Sequence, residues 1–297
     1  MSRSTVRVRA DLLMARAQPE PSILKCRSGP KAPGAPGPAA CKILPVPTPF
    51  NHLAIARDLL PRLSLALQAV LTAEGSAWLL GNIAPDVQTV SRQTRHATHY
   101  FPVPLDNAPR AHVALFAEHP QLADPRQLPA VQAAFLAGYL AHLEFDQHWI
   151  SDIYEPVFGP QQHWAPTTER IYLHNALRAW WDTQDLATLG PQDGAELGRA
   201  YPRRWLPFVR DEDLATWRDF VADQLQHRNG RTAEVFADRM QVAVADFAAL
   251  VGSPEQMAWR VFARCSPDQL TQYRASAMDA TVTLLTCYWD GAFVAAG

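Results

Sequence analysis

The strongest constraint on this chain is a helix that is apolar nearly all the way round and still carries a histidine and an aspartate. Residues 129–154 keep a helical period of apolar side chains, opening at Leu128-Pro129, where a proline suits the first turn. Phe135, Leu136, Leu140, Leu143 and Phe145 cover too much of its surface for it to lie in solvent. Within it stands Ala-Gly-Tyr-Leu-Ala-His-Leu-Glu-Phe-Asp, residues 137–146. His142 and Asp146 are four apart, so their side chains share one face. An ionised aspartate inside an apolar helix has to be paired or bound to a cation. Two readings therefore stand: a pair of divalent-metal ligands, or a His–Asp hydrogen bond that only orients packing. Gly138, one turn further back on that face, lets a neighbouring helix or an ion approach closely.

The rest of the chain from Phe50 onward is also patterned for helices. Residues 52–73 carry a stripe from Leu53 to Leu71 with Asn51 as a candidate N-cap. Further helices are expected over 108–118, 167–183 (capped by Thr167 or Thr168), 211–228, 231–251 and 267–292. Asn229-Gly230 reads as the C-cap signal between the third and fourth of these. Loops are expected at about 81–107 and 184–210. No segment alternates with a period of two, and neither a GxGxxG turn nor a P-loop is present. The fold class expected is all-α, one domain over about 47–297.

Composition narrows the function. Lys plus Arg number 27 against 29 Asp plus Glu, a net charge of −2, which lacks the basic excess of a general nucleic-acid binder. No run of 18 apolar residues offers a membrane span. The four cysteines (Cys26, Cys41, Cys265, Cys287) are too few and scattered for a disulfide scaffold or a CxxC zinc site. Residues 1–42 hold eight basic and two acidic side chains, and nine prolines lie from Pro19 to Pro49. Such a stretch sustains no backbone ladder and buries little, so residues 1–46 are expected to be a disordered tail. A transit peptide, a flexible arm and a spurious extension are its competing readings; a secretory signal lacks its apolar core. The expected location is cytoplasmic, in a reducing compartment.

Three further pieces bear on His142 and Asp146. His52 opens the first helix in Asn-His-Leu-Ala-Ile-Ala, residues 51–56. Leu-Gly-Asn-Ile-Ala-Pro-Asp, residues 80–86, reads as an apolar turn ending in Asp86. Thr-Arg-His-Ala-Thr-His-Tyr-Phe, residues 94–101, carries His96 and His99. In order, His…Gly-x-x-x-Pro-Asp…Thr-His-Tyr-Phe…Gly-Tyr-x-x-His-x-x-x-Asp resembles the zinc-dependent phospholipase C family, whose fold is shared with the P1-type nucleases. The match covers roughly residues 47–160, and residues 195–297 add nothing to it.

The resemblance implies a zinc-dependent hydrolase of phosphoesters, with a phospholipid head group as the leading substrate. It implies that Asp86, His99, His142 and Asp146 hold one zinc ion, and that His52 with Asp146 begins a second site. It also makes Asp86 and Asp146 the carboxylates that act in catalysis, Asp86 by orienting the attacking water. Paired zinc ions polarise a phosphoryl oxygen and activate water at neutral pH. His99 is preferred to His96 because Thr98 precedes it and Tyr100-Phe101 follow.

The chain also departs from the family. Val-Pro-Thr-Pro-Phe, residues 46–50, stands where the secreted enzymes begin with a metal-binding tryptophan amine. The family's third metal uses a His-x-x-x-Glu pair, whereas His174 here has Arg178 four residues on. One or two zinc ions are therefore expected, not three. A non-catalytic helical lipid- or protein-binding domain, and a nuclease of the same fold, are the alternatives; the leading reading has no nucleic-acid partner. Arg92 and Arg95 read as phosphate contacts or as a solvated loop, Glu144 and Asp152 as exposed flanks of the helix, and His174 as a structural histidine.

Overall fold

The structure, a computed structural model, describes residues 48–294, and every regular element among them is helical. In chain order these are α1 (Pro49–Leu59), α2 (Leu65–Ala73), α3 (Gly75–Ile83), α4 (Gln88–Ser91), α5 (His96–His99), α6 (Ala111–Glu118) and α7 (Ala130–Trp149). Then come α8 (Thr167–Thr188), α9 (Pro191–Gly198), α10 (Asp211–His227), α11 (Thr232–Met240), α12 (Val244–Gly252), α13 (Pro254–Gln256) and α14 (Pro267–Trp289). Among the described residues no helix is long and apolar enough to cross a membrane. The expected tail, residues 1–46, lies outside the described residues, as do Cys26 and Cys41.

The apolar helix is the middle of the molecule. From Ala133 to Gln147 every residue of α7 is buried. It passes without a break into a π-helical segment, Ile150–Phe158, in which Pro156 withholds one backbone donor. Its most extensive partner is α3, with α14 on another side. The α3–α7 crossing depends on two glycines. A Cβ at Gly81 would lie 2.0 Å from the Phe135 carbonyl oxygen, and one at Gly138 would lie 2.4 Å from that of Trp78. The neighbour that Gly138 admits is therefore a helix.

Several expected boundaries are corrected. The stripe over 52–73 is two helices with a 3-10 turn at Leu60–Arg62, because Pro61 has no N–H to give and Ser64 restarts the chain as the N-cap of α2. Asn51 is not a cap but lies inside α1, which begins at Pro49. Pro166, not Thr167 or Thr168, stands at the N-cap of α8. The stretch 231–251 divides at Gln241, which takes the left-handed conformation (φ 57°) that a glycine normally signals. Residues 81–107 and 184–210 are not plain loops. Residues 80–83 end α3, Ala84–Val87 form a 3-10 turn, and α9 occupies Pro191–Gly198.

Candidate metal centre

Five side chains from four segments meet between α1, α3 and α7: His52, Asp86, His99, His142 and Asp146. His52 lies in the first turns of α1, Asp86 in the 3-10 turn after α3, His99 at the end of α5, and His142 and Asp146 one turn apart on α7. The four other than Asp86 are essentially without solvent exposure; the Asp86 side chain retains 12%. Two triads place one ligand atom each within 4.8 Å of the others: His52, His142 and Asp146, and Asp86, His99 and His142.

Asp146 is the hinge of this geometry. Its Oδ2 lies 3.3 Å from His99 Nε2 and 3.5 Å from His142 Nε2, while its Oδ1 lies 3.4 Å from His52 Nε2. His99 Nε2 is also 3.6 Å from Asp86 Oδ1. The rings of His52 and His142 stack at 3.8 Å, with 14° between their planes.

The tautomers are fixed from behind. His142 Nδ1–H donates to the Asn82 carbonyl at 2.8 Å, so in the neutral ring Nε2 carries the lone pair. Thr98 Oγ1 donates to the Arg95 carbonyl, so it accepts from His99 Nδ1–H at 2.9 Å and leaves His99 Nε2 bare. Tyr139 on α7 donates to the Thr98 carbonyl and holds this turn in place, and Tyr100 closes it in the left-handed region (φ 61°). The result is four buried atoms without a hydrogen-bond partner: His52 Nε2, His99 Nε2, His142 Nε2 and Asp146 Oδ1. Buried polar atoms rarely go unpaired, and here four converge on one place.

Charge completes the fit. Burial opposes ionising Asp146, but His142, His52 and His99 around it hold its carboxyl well below the usual carboxylate range. Burial and the neighbouring His142 lower His52 to about 4, so it is a neutral lone-pair donor near pH 7. Burial likewise works against the Asp86 charge, and His99 and His142 bring its carboxyl below the ordinary value. Burial works against a charge on His142, but Asp146 and Asp86 raise its imidazole above the ordinary value, so a bound cation would take the place of that proton. Carboxylates and imidazoles, with His99 and His142 each oriented by an outer partner, are the donor types that divalent zinc takes. Nδ1 of His142 is committed to Asn82, so His142 has a single atom, Nε2, to offer an ion.

Three residues at the centre carry no clear sign in the sequence. Arg95 is buried, not solvated, and its Nη2 donates to Asp146 Oδ2 at 2.8 Å while the guanidinium lies 4.2 Å over Phe101. Arg92 and His96, by contrast, face solvent, which separates His96 from His99. Asp182 of α8 fixes the start of α1: its Oδ1 accepts from Thr48 Oγ1, from Phe50 N at 3.0 Å and from Asn51 N at 3.2 Å, and its Oδ2 accepts from Thr232. A carboxylate on the exposed N–H groups of a helix start does the work of an N-cap, and here it aims His52. Arg178, one turn before Asp182, is the third.

Other side chains lie away from the centre. His174 Nε2 accepts from Trp149 Nε1 at 2.9 Å, a structural contact. His148 sits between Glu144 and Asp152, 3.4 and 3.3 Å away, and Glu144 is buried under Arg110, which corrects the reading of it as exposed, while Asp152 is half-exposed. Cys265 is buried and unpaired among apolar neighbours.

Beside Asp182, Asp185 accepts from Asn51 Nδ2 at 2.6 Å, with Arg274 3.7 Å away. Burial pushes its carboxyl up to about 7. A raised folded pKa stabilises the fold fully below about pH 4, the ordinary carboxylate value, and that contribution is lost as pH rises through about 7. In metal-free protein, Asp185→Asn is therefore expected to gain on the wild type by about 2 kcal/mol between pH 5 and pH 8. Paired urea melts across that range check it; a difference that stays flat or falls with pH contradicts it.

No family model, curated protein or solved structure matches this chain.

Proposed function

We propose that this chain is a zinc-dependent hydrolase of phosphoesters, with the helical fold of the phospholipase C and P1-type nuclease enzymes. The observation that carries the reading is the set of four buried, unpartnered ligand atoms on His52, His99, His142 and Asp146. An apolar packing role would leave no such set, because each orphaned atom costs about 1–3 kcal/mol.

Asp86, His99, His142 and Asp146 Oδ2 would hold one ion, and His52 with Asp146 Oδ1 would begin a second. Bound zinc supplies Lewis acidity at a phosphoryl oxygen and makes water acidic enough to act at neutral pH. Asp86, the ligand that keeps some exposure, orients the attacking water by accepting its hydrogen bond. Arg95 holds the Asp146 carboxylate in its plane by the bond to Oδ2. Asn82 and Thr98 keep the two imidazoles in the tautomers that face inward. A phosphodiester such as a phospholipid head group is the substrate class the resemblance favours.

The test is the zinc content of protein purified without added metal or chelator, beside the His142→Ala/Asp146→Ala double variant. One or two zinc ions per chain, absent from the double variant, are expected. Turnover of a choline phosphodiester or phosphatidylcholine should track the zinc; cleavage of single-stranded DNA instead would make the chain a nuclease. A folded wild type that takes up no zinc when it is supplied refutes the hydrolase and leaves a non-catalytic binding domain.

A further inference from the structure

Two arginines in this protein are buried alike and satisfied very differently. Arg170, at the start of α8, gives its guanidinium to the Phe158 carbonyl at 3.2 Å, to the Ala165 carbonyl at 2.6 Å and to Thr167 Oγ1 at 3.1 Å. It locks the end of the π-helical segment to α8. Arg178, two turns on, has only Asn175 Oδ1, which accepts from its Nη1 at 2.8 Å. Its Nε is buried with no partner, and among the described residues no carboxylate oxygen lies within ion-pair distance of it. One face of the guanidinium is closed by the Phe236 ring at 4.4 Å.

The register of α8 says where the other side points. His174, Arg178 and Asp182 follow one another at intervals of four, on one face of the helix. Asp182 reaches the start of α1 at Phe50 and Asn51, just before His52, and His174 reaches Trp149, three residues after Asp146. Arg178 stands between them along α8, one turn from each. The carboxylates that act on its charge are Asp86 first, then Asp146 and Asp182, and Arg239 of α11 adds a second positive charge nearby. Burial lowers the guanidinium to about 9, which still leaves it charged at neutral pH.

A buried cation without a counter-ion is costly, and arginine is rarely so placed. Of the carboxylates within reach of its field, Asp182 is taken up by the start of α1, and Asp86 and Asp146 are assigned above to metal, so cations bound there would withdraw their compensation. We propose that Arg178 is the anion receptor of the centre, its guanidinium taking two oxygens of the substrate's phosphoryl group beside Asp86. This rests on the phosphoesterase reading and extends it with the residue that binds the reacting group. The planar guanidinium matches phosphate oxygens in pairs, which an ammonium does not. Phe236 and Asn175 fix the plane of the fork, so little freedom remains to be lost on binding.

The experiment uses the full chain loaded with zinc and titrated with inorganic phosphate in a calorimeter, with zinc content measured on the same samples. Wild type should bind phosphate. Arg178→Gln should bind it about tenfold to hundredfold more weakly with zinc content unchanged, and Arg178→Lys should recover part of the loss. In chelated protein, Arg178→Met should melt no lower than wild type, because it removes an uncompensated buried charge while keeping the stem. Equal phosphate affinity in wild type and Arg178→Gln, both zinc-loaded, overturns the receptor. So does an Arg178→Met protein that melts several degrees lower, which would make the arginine a structural strut. A wild type that holds no zinc fails the phosphoesterase reading itself, and the zinc measurement separates that failure from the other two.

Discussion

Asp146→Ala is expected to abolish zinc binding and to destabilise the metal-free fold by about 3–5 kcal/mol, the usual result of removing one partner of a buried ion pair. For a domain with about 5–15 kcal/mol in hand, much of its stability would go. The cause is Arg95, whose Nη2 rests on Asp146 Oδ2 and whose side chain is only 7% exposed. Without the carboxylate that guanidinium is a buried, unpaired cation. The fold and metal contributions can be separated, because Arg95→Met/Asp146→Leu removes both charges and keeps the volume. The double variant should recover most of the lost stability in chemical denaturation and still bind no zinc. If Asp146→Ala melts with the wild type in the absence of metal, the Arg95 pair contributes nothing to the fold. If the double variant binds zinc as the wild type does, Asp146 is not a ligand.

Gly138→Ala should cost about 3 kcal/mol, the upper end for overpacking. The added methyl would lie 2.4 Å from the Trp78 carbonyl oxygen and 2.8 Å from the Asn82 nitrogen, both backbone atoms inside α3. The Asn82 side-chain amide nitrogen at 2.9 Å could turn aside, but the two closer backbone atoms cannot, so α3 and α7 have to separate. That shift moves the Asn82 carbonyl away from His142 Nδ1, the bond that selects the ligand tautomer. Zinc affinity should therefore fall about tenfold to hundredfold in whatever protein still folds. Gly252→Ala is the control: nothing lies within 4 Å of a Cβ there, and alanine should be neutral or mildly stabilising. Equal melting of Gly138→Ala and Gly252→Ala would contradict the close approach of α3 and α7.

What the sequence discloses and what it hides divide along chain separation. His142 and Asp146 are legible because their relation is one helical turn, and the apolar residues around them say that the turn is buried. Gly138 is legible for the same reason. His52, Asp86 and His99 are legible by their order and spacing, which chain periodicity alone would not have singled out. Asp182 is different: it meets Thr48, Phe50 and Asn51 across more than 130 positions, and nothing local to it announces that task. Arg95 looks like part of a polar loop because Arg92 and His96 beside it do face water. Helix α3 escapes notice because it is short, begins at a glycine and runs through Gly81-Asn82 into the Pro85-Asp86 turn that follows it. The break at Gln241 carries no sign at all, since the left-handed residue is not a glycine.

The placement of the two Asp146 oxygens has a thermodynamic corollary. Oδ2 faces His99 and His142 while Oδ1 faces His52, so cations on the two sides share a single negative charge. Occupancy of one side weakens the hold of the other, and linkage requires the weakening to be mutual. Zinc uptake would then proceed in two resolved steps, a tight one on the four-ligand side and a looser one at His52, with a free-zinc range between them in which the protein carries one ion.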